Sequence, residues 1–205
     1  MPLKSPDLTK FTTLSKVVTN VDFFDNVTGV GFVKIYFAGG WDDSAQYFLT
    51  TNSSVVGDEL NHRLKSTGAG INADFDIEMT RNFTVAGNNA ILTYQTHVDT
   101  GENMTVSFIV NHVDKDNTET IIGSVSGANI SGSAGAEYNV NTMKVPLTKK
   151  RFSKGEKLRI HVVPNGSNVN SSFFCDPSGF WGFTGEDAVV FPFTSYIFLP
   201  VEVPQ

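Results

Sequence analysis

Residues 83–125 carry the pattern that most restricts the fold. In Met104-Thr105-Val106-Ser107-Phe108-Ile109-Val110 the residues Met104, Val106, Phe108 and Val110 fall on one side and Thr105, Ser107 and Ile109 on the other. A period of two is the signature of a strand with one buried face. The β-branched and aromatic run Ile91–Val98 precedes it and Thr120–Ser126 follows, with Asp99-Thr100-Gly101-Glu102 and Asp114-Lys115-Asp116-Asn117 between them. Short polar connections of turn residues predict an antiparallel meander, because parallel neighbours need a crossover of about a dozen residues. A meander with one apolar face needs a second sheet to cover it, so the pattern predicts an antiparallel β-sandwich.

The length of 205 residues suits one such domain, and 17 phenylalanines are enough to fill the space between two sheets. Only 18% of residues are charged, so the surface is rich in Asn, Ser, Thr and Gly rather than ions. The net charge of −6 and the lack of a basic run longer than Lys149-Lys150-Arg151 argue against nucleic-acid binding. The single cysteine, Cys175, excludes an internal disulfide framework and a Cys-based zinc site, and is expected to be a buried thiol. No stretch has the length and apolarity of a membrane span, and none reads as a secretory signal.

Further elements follow along the chain. Residues 1–20 read as an arm leading into the first strand, and 21–205 as the sandwich domain. Gly31–Ala38 is a strong strand, with Phe32, Lys34 and Tyr36 opposite Val33, Ile35 and Phe37. Residues 52–72 form a long irregular segment in which Asp58–Lys65 suggests a helical turn or two. Leu158, Ile160 and Val162 are expected to face the core, with Arg159 and His161 outward, after a reversal at Lys154-Gly155-Glu156. The tail 191–203 reads as a closing strand confined by Pro192 and Pro200 to a sheet edge or bulge.

Candidate chemistry is sparse. Asp74, Asp76 and Glu78 share one face of a strand; a solvated outer face is favoured over a row of cation ligands. His97 and His112, on consecutive strands just before turns, are expected at the surface rather than on a metal. Trp41, Asp42 and Asp43 combine an aromatic plane with two carboxylates, which suits a sugar but equally a packed Trp beside a turn. Phe173-Phe174-Cys175-Asp176-Pro177-Ser178-Gly179-Phe180-Trp181-Gly182-Phe183 is either a minor core under a loop or an apolar patch for a partner. Seven Asn-x-Ser/Thr triplets exceed what composition predicts.

Asn82-Phe83-Thr84-Val85-Ala86-Gly87-Asn88, the segment Leu147–Ile160 with Phe152-Ser153-Lys154-Gly155-Glu156-Lys157-Leu158-Arg159 leading into a strand, and the turn Asp176-Pro177-Ser178 resemble jelly-roll β-sandwich domains. The resemblance covers about half the chain and points two ways. One is to virion structural proteins (capsid, decoration and tail-associated); the other is to carbohydrate-binding modules of galactose-binding-like fold. It implies an all-β, antiparallel jelly-roll β-sandwich in a single domain. The expected function is that of a non-enzymatic virion subunit, with no catalytic residue, metal or cofactor, located in the virion and partnered by itself or other shell proteins. Contacts are expected at Phe11, Leu14, Phe173, Phe174, Phe180, Trp181 and Phe183. The alternatives are a carbohydrate-binding module using Trp41, Asp42, Asp43 and Trp181, or a glycosylated cell-surface or pilus-like subunit on the extracellular surface.

Overall fold

The computed structural model describes residues 30–39, 47–52, 63–65, 73–98, 100–132, 137–166, 171–175 and 195–202. Every regular element among them is a strand: β1 (Val30–Gly39), β2 (Tyr47–Thr50), β3 (Arg63–Lys65), β4 (Ala73–Glu78), β5 (Phe83–Val85), β6 (Asn89–Val98) and β7 (Asn103–Val113). These are followed by β8 (Glu119–Ser126), β9 (Ile130–Ser131), β10 (Glu137–Pro146), β11 (Lys150–Phe152), β12 (Lys157–Gly166), β13 (Ser172–Phe174) and β14 (Tyr196–Glu202). The all-β expectation therefore holds, whereas Arg63–Lys65 is a strand paired with β13 and not part of a helical turn.

The strands form one continuous sheet in the order β3-β13-β6-β14-β1-β2-β4-β12-β7-β8, with β10 on the other edge of β6. Gly123 of β8 bridges to Leu147, just past β10, and the Thr148 N–H donates to Ile122 O at 2.8 Å, which nearly closes the sheet on itself. A Cβ on Gly123 would meet Leu147 Cδ2 at 2.5 Å and Pro146 O at 2.6 Å, so this closure needs a glycine. The strands thus belong to one nearly closed sheet whose halves face each other across the core. All ladders are antiparallel except the single contact Phe48↔Asp76 between β2 and β4.

The meander is half right. β7 and β8 form the predicted hairpin, closed by Asp114, whose Oδ1 accepts from the Asp116 and Thr118 N–H groups at 2.9 and 2.8 Å. β6 and β7 do not pair: β6 lies between β10 and the β13–β14 side, and β7 between β12 and β8. The connection between them crosses from one half of the sheet to the other, and the two strands meet through their side chains, with Tyr94 and Phe108 ring centroids 5.0 Å apart. Turn residues suit a crossover as well as a hairpin. Here Gly101, at φ +76°, donates to Gly132 O and Gly132 donates to Glu102 O, so the turn is held by the segment after β9.

The inward faces follow the predicted alternation. Met104, Val106, Phe108 and Val110 are buried, as are Leu158, Ile160 and Val162. Phe37, Phe75, Tyr94, Phe108 and Phe173 form a continuous ring cluster across the two halves. Edge-to-face and tilted contacts of this kind add to what area burial alone contributes. Cys175 is buried, as expected.

β14 is not an edge strand. β1 pairs along its full length, and β6 pairs from Tyr196 to Phe198 on its other side. Pro200 fits because the β6 ladder has already ended. Its carbonyl accepts from the Ala86 N–H at 3.0 Å on that side, so the missing N–H faces away from β1 and breaks no β1 bond.

Candidate functional site

Three side-chain groupings on this scaffold bear on function. The first is the acidic row of β4. Antiparallel register sets Asp74, Asp76 and Glu78 opposite His161, Arg159 and Lys157 of β12. Arg159 grips Asp76 with two parallel bonds, Nε to Oδ1 at 2.7 Å and Nη2 to Oδ2 at 2.8 Å. Its Nη1 also reaches Glu119 Oε1 at 2.7 Å and Asp74 Oδ2 at 3.1 Å. His161 Nδ1 lies 2.6 Å from Asp74 Oδ1, and Asn111 Nδ2 donates to Glu119 at 2.9 Å. The bonds to Asp76, then the surrounding carboxylates, hold the Arg159 guanidinium further above its ordinary pKa, against the opposing effect of burial. The row is thus an outer face of cross-strand ion pairs. Among the described residues no cluster of three or more His, Cys, Asp or Glu side chains is arranged to hold a metal.

The second grouping is His112 with Glu156. His112 is buried, not at the surface, with Nε2 2.8 Å from Glu156 Oε2 and its ring 4.8 Å from the buried Phe152 ring. Glu156 Oε2 also accepts from the Ser153 N–H at 2.7 Å, and its carbonyl accepts from the Met79 N–H at 2.8 Å. One residue thereby ties the β11–β12 turn to β7 and to the end of β4. The His112 bond first, and the Ser153 N–H second, hold the Glu156 carboxyl below its ordinary value. His97 is far from this arrangement in register, opposite Tyr138 and Ser172, so the two histidines are not on neighbouring strands. The alternation Met104, Val106, Phe108, Val110 extended by two residues already points His112 inward.

The third grouping is the outer face of β1, β14, β6 and β10. Register places Tyr36, Tyr196, Thr93 and Thr142 in one row and Lys34, Phe198, Ile91 and Lys144 in the next. The Lys34 ammonium lies 3.8 Å from the Tyr196 ring centroid, 4.7 Å from Tyr36 and 5.7 Å from Phe198. Tyr196 meets Tyr36 and Phe198 edge-on at 6.2 and 5.3 Å. The three rings are partly buried and lie outside the core cluster; Ile91 and Val140 on the same face are 38% and 46% exposed.

The expected contact residues divide. Phe173 and Phe174 belong to the chain's own interior: Phe173 is fully buried against Phe37, Phe75, Tyr94 and Phe108, and Phe174 is buried beside it. The structural reason is that β13 extends the sheet along β6 with the Phe173 ring turned to the core, while Phe174, the next residue on the strand, is buried outside the core cluster. Phe11, Leu14, Phe180, Trp181 and Phe183, and the sugar candidates Trp41, Asp42 and Asp43, lie outside the described residues. Of the seven sequon asparagines, Asn52, Asn82, Asn103, Asn129 and Asn165 are described and all are exposed.

No family model matches the chain, and no curated protein matches it in sequence. Solved structures give distant likenesses. A CocE/NonD family hydrolase from Staphylococcus aureus superposes with a TM-score of 0.46 at 10% identity, over 82% of this chain and 41% of that one. An aminopeptidase from a marine-sediment Thaumarchaeota archaeon gives 0.46 at 7% identity, over 64% and 26%. The infectious bursal disease virus Gx strain gives 0.29 at 7% identity, over 82% and 40%. This chain therefore spans less than half the length of each, and no functional residue of theirs is carried over.

Proposed function

We propose that this chain is a non-enzymatic structural protein of a virus particle, a jelly-roll subunit of the capsid or associated with it, acting through subunit contacts. The observation that carries this reading is the outer face of β1, β14, β6 and β10. Tyr36, Tyr196 and Phe198 stand in register there without packing on the core, beside exposed Ile91 and Val140. Large apolar groups held on a rigid sheet and away from the core are what a contact surface needs. The continuous sheet supplies the rigidity: it fixes each of these side chains by cross-strand register.

The test is incorporation. Fractionation of native particles, with detection of this chain by mass spectrometry, should find it in the particle, and Tyr196→Ala with Phe198→Ala should reduce incorporation without lowering the melting temperature appreciably. A chain that stays monomeric at high concentration and never travels with a particle ends the proposal.

A further inference from the structure

The two outer faces of the barrel differ in charge as well as in chemistry. The face of β4, β12, β7 and β8 carries the carboxylates Asp74, Asp76, Glu78 and Glu119 against only two fixed cations, Lys157 and Arg159. Asp74 and Glu119 keep 43% and 42% of their side-chain surface open, so each can accept a further donor. On the opposite side, the two central rows of the aromatic face hold Lys34 and Lys144 and no carboxylate. The nearest acid along β14, Glu202, is already paired with Lys149. The faces look in opposite directions, because Tyr94 of one half packs on Phe108 of the other and Phe37 packs on Phe75.

We propose that the aromatic, lysine-bearing face of one copy docks on the acidic ion-pair face of a second copy. This rests on the contact reading above and names its partner: the same chain, in head-to-tail orientation. The apolar rings and Ile91 supply the desolvated centre, while Lys34 and Lys144 meet Asp74, Glu78 and Glu119 at its rim, where charge governs orientation and encounter more than final affinity. Because the donor and acceptor faces lie on opposite sides of the molecule, each docked copy leaves one of each face open. Such a heterologous contact extends into a row unless its rotation closes a ring.

The test uses two full-length variants. Lys34→Glu with Lys144→Glu makes both faces acidic; Glu78→Lys with Glu119→Lys makes the second face basic. Sedimentation equilibrium across a salt series should show self-association of the native chain that weakens as ionic strength rises. Each variant alone should associate about tenfold or more weakly, and an equimolar mixture of the two should recover association. If Glu78→Lys with Glu119→Lys associates like the native chain, the acidic face is not the partner; a symmetric contact between two aromatic faces is then the answer, and the contact reading survives. If the native chain does not associate at any salt and is absent from particles, the contact reading itself fails. Thermal melts report whether each variant folds, and Glu119→Gln, which removes the charge but keeps the acceptor for Asn111, carries the test if the double reversal does not fold.

Discussion

His112 Nε2 stands 2.8 Å from Glu156 Oε2, and that one carboxylate joins a buried strand residue to the backbone of the β11–β12 turn. Substituting Glu156→Gln leaves an acceptor for the Ser153 N–H but removes the charge that the His112 bond favours. The expected loss at neutral pH is about 1–3 kcal/mol, read by chemical denaturation. The pH dependence follows from the lowered carboxyl pKa. A group whose folded-state pKa is depressed contributes stability above its unfolded value of 4.5, and that contribution disappears as pH falls through the folded value. The gap between native chain and variant should therefore shrink on acidification below 4.5; a gap that stays constant with pH overturns the assignment.

Phe173 touches Phe37, Phe75, Tyr94 and Phe108. Truncation to Ala removes the ring from a fully enclosed cluster and should cost about 3–5 kcal/mol of stability. A Phe173→Ala chain that melts like the native one while losing association would restore Phe173 to the role of a contact residue.

Gly127 lies where β8 turns toward β9. A Cβ there would meet Tyr94 Oη at 2.6 Å and Val106 O at 3.0 Å, while the Gly127 N–H donates to that same carbonyl at 2.8 Å. Neither the buried ring nor the ladder carbonyl can retreat freely. Gly127→Ala is expected to destabilise by about 1–3 kcal/mol, whereas an unchanged melting temperature would mean that Tyr94 has room to move.

Arg159→Lys keeps the positive charge but cannot reproduce the two parallel bonds to Asp76 together with the reach to Glu119. A loss of about 1 kcal/mol is expected for this partly exposed network. The melting temperature should respond less to added salt in Arg159→Lys than in the native chain, because fewer ion pairs remain to be screened. Equal salt sensitivity would show that the network contributes nothing as a unit.

Much of the sheet was legible because burial on one face writes a period of two into a strand. The alternation from Met104 to Val110, and that of Leu158, Ile160 and Val162, placed the inward residues correctly. The fate of β6 was not legible, since Asp99 to Glu102 has the composition of a hairpin turn and nothing local distinguishes returning beside a strand from crossing over the core. Residue type alone places His112 at the surface, although its position in the alternation points inward; the carboxylate that makes its burial tolerable lies 44 residues away. Pro200 suggested an edge, but only the end of the β6 ladder shows which side of β14 lacks a donor.

By itself the sequence determined that this is an all-β chain with a phenylalanine-rich interior, because strand periodicity and ring content are local and additive along the chain. Only the tertiary structure decided that the strands make one nearly closed sheet, that Phe173 belongs inside, and that acids and aromatics occupy opposite outer faces. Those outcomes depend on which strands become neighbours, and pairing is a relation between distant segments that no single segment encodes.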